Sequence, residues 1–196
     1  MSGSDALPIA AAFATSILAV VVLFLIITTY NDVVALGLRI DKAWSNIDVV
    51  LRQRFDQLPA LVDAVRGVMA FEREVLEDVA RWRAGYAPSD PVPRQAATSA
   101  GTTEAVRRLL AVVERYPELS SATNVLALQA SIARLEDQIA DRRELYNDQV
   151  RRYDTRIATL PGLLLAPLFG WRARAYFEAG PEARATPPGL GDLPGT

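Results

Sequence analysis

Residues 9–27 read IAAAFATSILAVVVLFLII, and no charged residue occurs from Ala6 to Asn31. At 1.5 Å per residue about 20 residues cross a hydrocarbon core of ~30 Å, so the run is long enough without unusual tilt. A cleaved secretory signal is the competing reading. It calls for a basic head, a shorter apolar core and an A-x-A-like site, whereas this chain begins MSGSD and the run leads into TTYND. The expectation is therefore a retained anchor, with residues 1–6 a short tail and residues 7–29 a transmembrane helix. No Lys or Arg precedes the run, while Arg39, Lys42, Arg52 and Arg54 follow it. The positive-inside bias then places the N-terminus outside and the rest in the cytoplasm, as a single-pass protein of the cell membrane.

Outside the anchor the composition is that of an ordinary soluble helical protein. The whole chain is 51% hydrophobic, slightly above the roughly 45–50% of soluble proteins, and the excess sits in the first thirty residues. A net charge of -2 from 21 basic and 23 acidic residues offers no patch for a phosphate backbone, so nucleic acid is not an expected partner. Cysteine and histidine are both absent. That removes disulfides, thiol nucleophiles, HExxH zinc sites and Ser-His-Asp triads, and neither GxxxxGK[ST] nor GxGxxG occurs.

Behind the anchor, apolar residues recur in alternating threes and fours: Val33, Leu36, Ile40, Trp44, Ile47, Leu51, Phe55 and Leu58. Such spacing marks an amphipathic helix with coiled-coil-like packing, continuing from the membrane helix. Pro59 lacks an amide hydrogen, so a turn or kink is expected near Leu58. A second seam runs Val62, Val65, Met69, Glu72, Val75, Val79, Trp82 and Tyr86. Residues 87–103, rich in Pro, Ser, Thr, Gly and Ala, are the expected loop. A third helix over 103–115, capped by Thr102 or Thr103, places Val106, Leu109, Leu110 and Val113 inward.

Pro117 marks the next break, and the fourth and longest helix holds one register through Val125, Leu128, Ile132, Leu135, Ile139, Arg142, Tyr146, Val150, Tyr153 and Ile157. Arg134, Glu136, Asp137, Asp141, Arg143, Glu144, Asp148 and Arg151 fall off that face and read as solvated pairs. Four stripes joined by turns predict an all-α fold, an N-terminal transmembrane helix followed by an antiparallel up-and-down four-helix bundle over residues 30–178. Residues 160–171, LPGLLLAPLFGW, are apolar but too short and broken to span. They either dock at the bilayer surface, with Trp171, Tyr176 and Phe177 at headgroup level, or close the membrane-proximal end of the bundle. Residues 179–196 are Pro- and Gly-rich and are expected to be a disordered tail.

Few residues here promise chemistry. Lys42, the sole lysine, faces away from the seam between Ile40 and Trp44. Glu72 with Glu74 and Asp137 with Asp141 are spacings that any charged helix supplies, and they do not match a Glu-x-x-His metal pattern. No catalytic, cofactor-binding or metal-ligating residue is expected. Glu72 and Arg142 do fall on inward phases, so one expectation is an ion pair between the second and fourth helices. The other is that both reach solvent.

Several groups of residues together resemble the LemA family. They are Tyr30-Asn31, Ala43-Trp44-Ser45, Ile47-Asp48-Val49, Arg52-x-Arg54-x-Asp56-x-x-Pro59-x-Leu61-Val62, Val65-x-Gly67 and Glu72, then Tyr116-Pro117-Glu118-Leu119, Asn124, Leu128-Gln129 and Glu136. Ile139-Ala140-x-x-Arg143-x-x-Tyr146-Asn147-x-x-Val150-x-x-Tyr153, Pro161 and Phe177-Glu178 complete the pattern. The resemblance implies an anchor and a four-helix bundle, without an established enzymatic role, in a family some of whose members are linked to envelope or organelle organisation. The chain departs from that pattern at Ala60 and Asp154, where Asn is usual, and at Phe71, where His is common. The functional expectation is a non-enzymatic scaffold or adaptor for protein partners. The alternative is a self-assembling structural protein of membrane or envelope organisation, which leaves a homo-oligomer open.

Overall fold

A computed structural model describes residues 3–66 and 73–178, with side chains from residue 9 onward. Among the described residues there are six helices and no strand: α1 (Gly3–Arg66), α2 (Arg73–Ala84), α3 (Val92–Val113), α4 (Pro117–Ser120), α5 (Thr123–Ala158) and α6 (Gly162–Phe169). The fold is all-α, as the periodicity predicts. The chain divides into two compact units. One comprises Met1–Asp41 with Asp148–Arg174, and the other comprises Lys42–Asn147 with Ala175–Thr196.

In the first unit, every residue from 9 to 25 of α1 is exposed. The helix is long and apolar enough to cross a membrane. Burial begins where the apolar run ends, at Thr29 and then Val33 and Ile40, and α5 contributes Val150, Tyr153 and Ile157. Arg156 on α5 donates Nη2 to Asp32 at 2.9 Å and to the Thr29 hydroxyl at 3.4 Å. The chain then turns tightly into α6. A Cβ at Gly162 would run into the carbonyl oxygen of Arg156, so only glycine lets α6 fold back this closely on the end of α5. Gly170, at φ 68°, ends α6 in the left-handed conformation that glycine adopts without strain.

The second unit holds most of the core. Ile47, Val50, Leu51, Leu58, Leu61 and Val65 of α1 are fully buried, with Val79 of α2, Ala105, Val106, Leu109 and Val113 of α3, and Val125, Ile132, Leu135 and Ile139 of α5. Pro59 does not turn the chain here, because α1 continues unbroken to Arg66. A proline inside a helix costs roughly 3 kcal/mol through its lost hydrogen bond and steric clash. Leu58, Leu61, Val62 and Val65 are all buried around it. Each contributes about 1.5–3 kcal/mol, so packing outweighs the break.

Residues 87–103 are not the single loop expected. Only their first part is loop, since α3 starts at Val92, with proline in the first turn where a missing donor is tolerated. The Ala, Ser, Thr and Gly residues that suggested a linker pack instead. Ala96, Thr98, Ser99 and Thr102 are buried, because small side chains let α3 approach its neighbours closely. Thr102 and Thr103 are therefore not caps, and each hydroxyl bonds the carbonyl one turn back, at 2.8 Å and 3.1 Å. Gln95 secures the loop by donating Nε2 to the carbonyls of Pro88 and Asp90 at 3.0 Å and 2.9 Å. Pro117 does mark a break, opening the short α4 before α5.

Candidate functional site

The second unit has a buried polar centre at Arg54. The residue sits four before Leu58 and three after Leu51, the inward phase of α1, and its side chain is 0% exposed. Nη1 donates to Glu136 Oε1 at 2.8 Å and to Thr103 Oγ1 at 3.0 Å. Nη2 donates to Ser99 Oγ at 3.0 Å and to the Ser99 carbonyl at 3.3 Å. One guanidinium thus ties α1 to α3 and α5. Nε has no hydrogen-bond partner among the described residues, and burial lowers the Arg54 pKa while Glu136 opposes that shift. A charge held this way fixes which helix faces which, and adds less to stability than its bond count suggests.

A hollow of about 310 Å³ opens beside this network, lined by Ala96, Ser99, Ala100, Thr103, Glu104, Glu136, Ile139, Ala140, Arg143 and Phe177. Small residues on α3 and α5 leave the space. Nearby, residues 175–178 are strapped onto α5. Tyr146 donates its hydroxyl to the Ala175 carbonyl at 2.8 Å, and the Phe177 amide donates to Asn147 Oδ1 at 2.9 Å. Trp44 packs its ring against Tyr146 at 5.6 Å and against Phe177 at 5.8 Å. The Arg54 guanidinium also lies 5.2 Å from the Phe55 ring centre, and the Tyr86 ring stacks on Phe55 at 4.2 Å while its hydroxyl donates to Asp48 at 2.8 Å. Burial, and then the bond to Asp48, push the Tyr86 phenol up to about 12.

The other concentration of unusual side chains lies in the first unit, just past the apolar run. Tyr30 meets Phe169 edge-on at 5.1 Å and Trp171 at 6.0 Å, and the latter two rings stack at 5.1 Å. Arg174 lies 5.7 Å over the Tyr153 ring. Its amide donates to Asp154 at 3.0 Å, and burial raises the Asp154 carboxyl above its ordinary value.

Lys42 is exposed, as are Asp137 and Asp141. Arg142 donates to the carbonyl of Asn46 at 2.7 Å, and Glu72, its expected partner, lies outside the described residues. A cross-helix ion pair that the sequence reading does not anticipate joins Arg54 to Glu136. A stricter reading of phase finds both, since Glu136 falls four after Ile132 and three before Ile139. Among the described residues, no group of three or more metal-ligating side chains converges.

A family model described as the LemA family matches residues 43–190. The chain belongs to the LemA family. The family residues that seemed scattered in sequence now have places: buried Arg54 pairs with half-buried Glu136, and Trp44, Tyr146, Asn147 and Phe177 form the strap. Three curated relatives are similar over 81 residues. They are magnetosome proteins MamQ 2 and MamQ 1 of Paramagnetospirillum magneticum, each 37% identical, and magnetosome protein MamQ of Magnetospirillum gryphiswaldense, 35% identical. Each match covers 41% of this LemA-family chain and 30% of the relative, so the chain spans under a third of the curated relatives it matches. Family membership and the exposed apolar helix together make it a membrane-associated helical protein.

Proposed function

We propose that this LemA-family protein is a single-pass, non-enzymatic membrane scaffold whose helical bundle binds protein partners on the cytoplasmic side. The observation that carries the proposal is α1 itself. One helix holds an exposed apolar run at residues 9–25 and a fully buried seam from Ile47 to Val65, so the anchor belongs to the same element as the core. Lys and Arg occur only after the run, which favours a cytoplasmic bundle. The charged outer face of α5, where Asp137, Asp141 and Glu144 are exposed, is the surface offered to partners.

The absence of cysteine makes the topology directly testable with single engineered thiols. Ser4→Cys is expected to react with a membrane-impermeant maleimide in intact cells, and Asp137→Cys only after the membrane is opened. The opposite pattern reverses the orientation, and labelling of both from outside removes the anchor. Photo-crosslinking from position 137 or 141 in native membranes should give a discrete protein adduct; none above background counts against the adaptor role.

A second reading, self-assembly in the service of membrane organisation, draws support from the relatives, which are magnetosome proteins. Size in mild detergent separates the two: a monomer disfavours self-assembly.

A further inference from the structure

We propose that α6 is a second, shallow membrane contact, laying its leucine stripe into the headgroup and upper acyl region of the bilayer beside the anchor. This rests on the anchoring reading above. The chain carries no charge between Arg156 and Arg172, and α6 itself reads GLLLAPLF, without one polar side chain. Gly162 and Leu165 are buried, while Leu164 and Leu168, one turn apart, are 69% and 75% exposed, and Leu160 in the turn before α6 is 68% exposed. A short helix docked on a water-soluble body turns polar residues outward. This one turns out leucine.

Ring contacts fix where the stripe lies. Tyr30 comes three residues after Ile27, about 4.5 Å further along the axis, and it touches both Phe169 and Trp171. α6 therefore ends beside the place where the apolar run of α1 ends. Tyr and Trp favour the boundary between hydrocarbon and headgroups, and a basic residue next to them favours anionic lipid; Arg172, exposed, follows Trp171 directly. The ion pair of Arg156 with Asp32 marks the aqueous side of the same level. Eight residues rise only about 12 Å, so α6 lies in the interface and does not cross.

The test uses the full-length chain reconstituted into phosphatidylcholine–phosphatidylglycerol vesicles, spin-labelled at one engineered cysteine at a time. Leu164→Cys and Leu168→Cys are compared with Ile17→Cys in the anchor and Asp137→Cys on α5, reading collision with oxygen against a water-soluble nickel complex. The expected result is an oxygen-to-nickel ratio at 164 and 168 several-fold above that at 137 and below that at 17. Water-like values at 164 and 168 with a lipid-like value at 17 overturn the α6 contact and leave the anchor standing. Low collision with both reagents at 164 and 168 means a protein surface covers the stripe, which also overturns it. A water-like value at 17 removes the anchor, and the α6 contact with it.

Discussion

Helix α1 uses the same residue types in two opposite ways. From residue 9 to 25 its Ile, Leu, Val and Phe side chains are exposed on every side of the helix, whereas from Ile47 to Val65 they are buried on one side and backed by exposed Arg52, Asp56 and Asp63. The difference lies in angular distribution. A helix apolar all round needs a solvent that is itself apolar, while a helix apolar on one stripe needs only another stripe. The arginines divide in a parallel way. Arg156 keeps 28% of its side chain in solvent beside Asp32, and Arg54 keeps 0%.

The largest expected effect comes from breaking the buried arginine. Arg54→Ala should cost about 4 kcal/mol, because Glu136 is left without its cation and a cavity opens. Thermal unfolding in mild detergent, followed by circular dichroism, checks this. An Arg54→Met, Glu136→Leu double variant should recover most of the loss; if it does not, the pair supplies stability and not only register. Next, Leu58→Ala should cost about 3 kcal/mol in the same assay. Leu18→Ala, with a side chain of similar chemistry but 61% exposed, should leave the unfolding transition within about 0.5 kcal/mol. Equal effects at the two positions would erase the contrast within α1.

Tyr86→Phe keeps the stack on Phe55 and loses the bond to Asp48, a change of about 1 kcal/mol. Its pH signature is specific. The folded phenol titrates at about 12, against 10.0 in the unfolded chain, so its contribution is complete below pH ~10 and is lost as pH rises through ~12. Wild type and variant should therefore converge in alkali, as their melting curves at stepped pH would reveal. The smallest effect is expected at Asp154→Asn. Burial favours the protonated carboxyl there, so ionisation lowers stability as pH rises, and Asn keeps an acceptor for the Arg174 amide without the charge. The variant should melt roughly 2 °C higher at neutral pH and lose that advantage in acid.

The architecture was legible wherever one residue type repeated at helical spacing. The seam from Val33 to Leu58, the long register of α5 and the break at Pro117 all follow from local pattern, and each appears in the structure. Misreadings fell where local chemistry and packing pull in different directions. Pro59 and the Ala-, Ser- and Thr-rich start of α3 carry turn-like signals, yet buried neighbours hold both in helix. Arg54 and Glu136 carry a charge that suggests solvent, although their phase in the helix is that of Leu58 and Ile132.

By itself the sequence determined an apolar helix fit to cross a bilayer, an all-helical body and the absence of histidine or thiol chemistry, since composition and period are properties of neighbouring residues. Only the tertiary structure decided that Arg54 meets Glu136 across 82 residues, that Phe177 is strapped to Asn147, and that α6 turns its leucines outward. Those outcomes depend on which faces meet, and that is fixed by the packing of segments far apart in the chain.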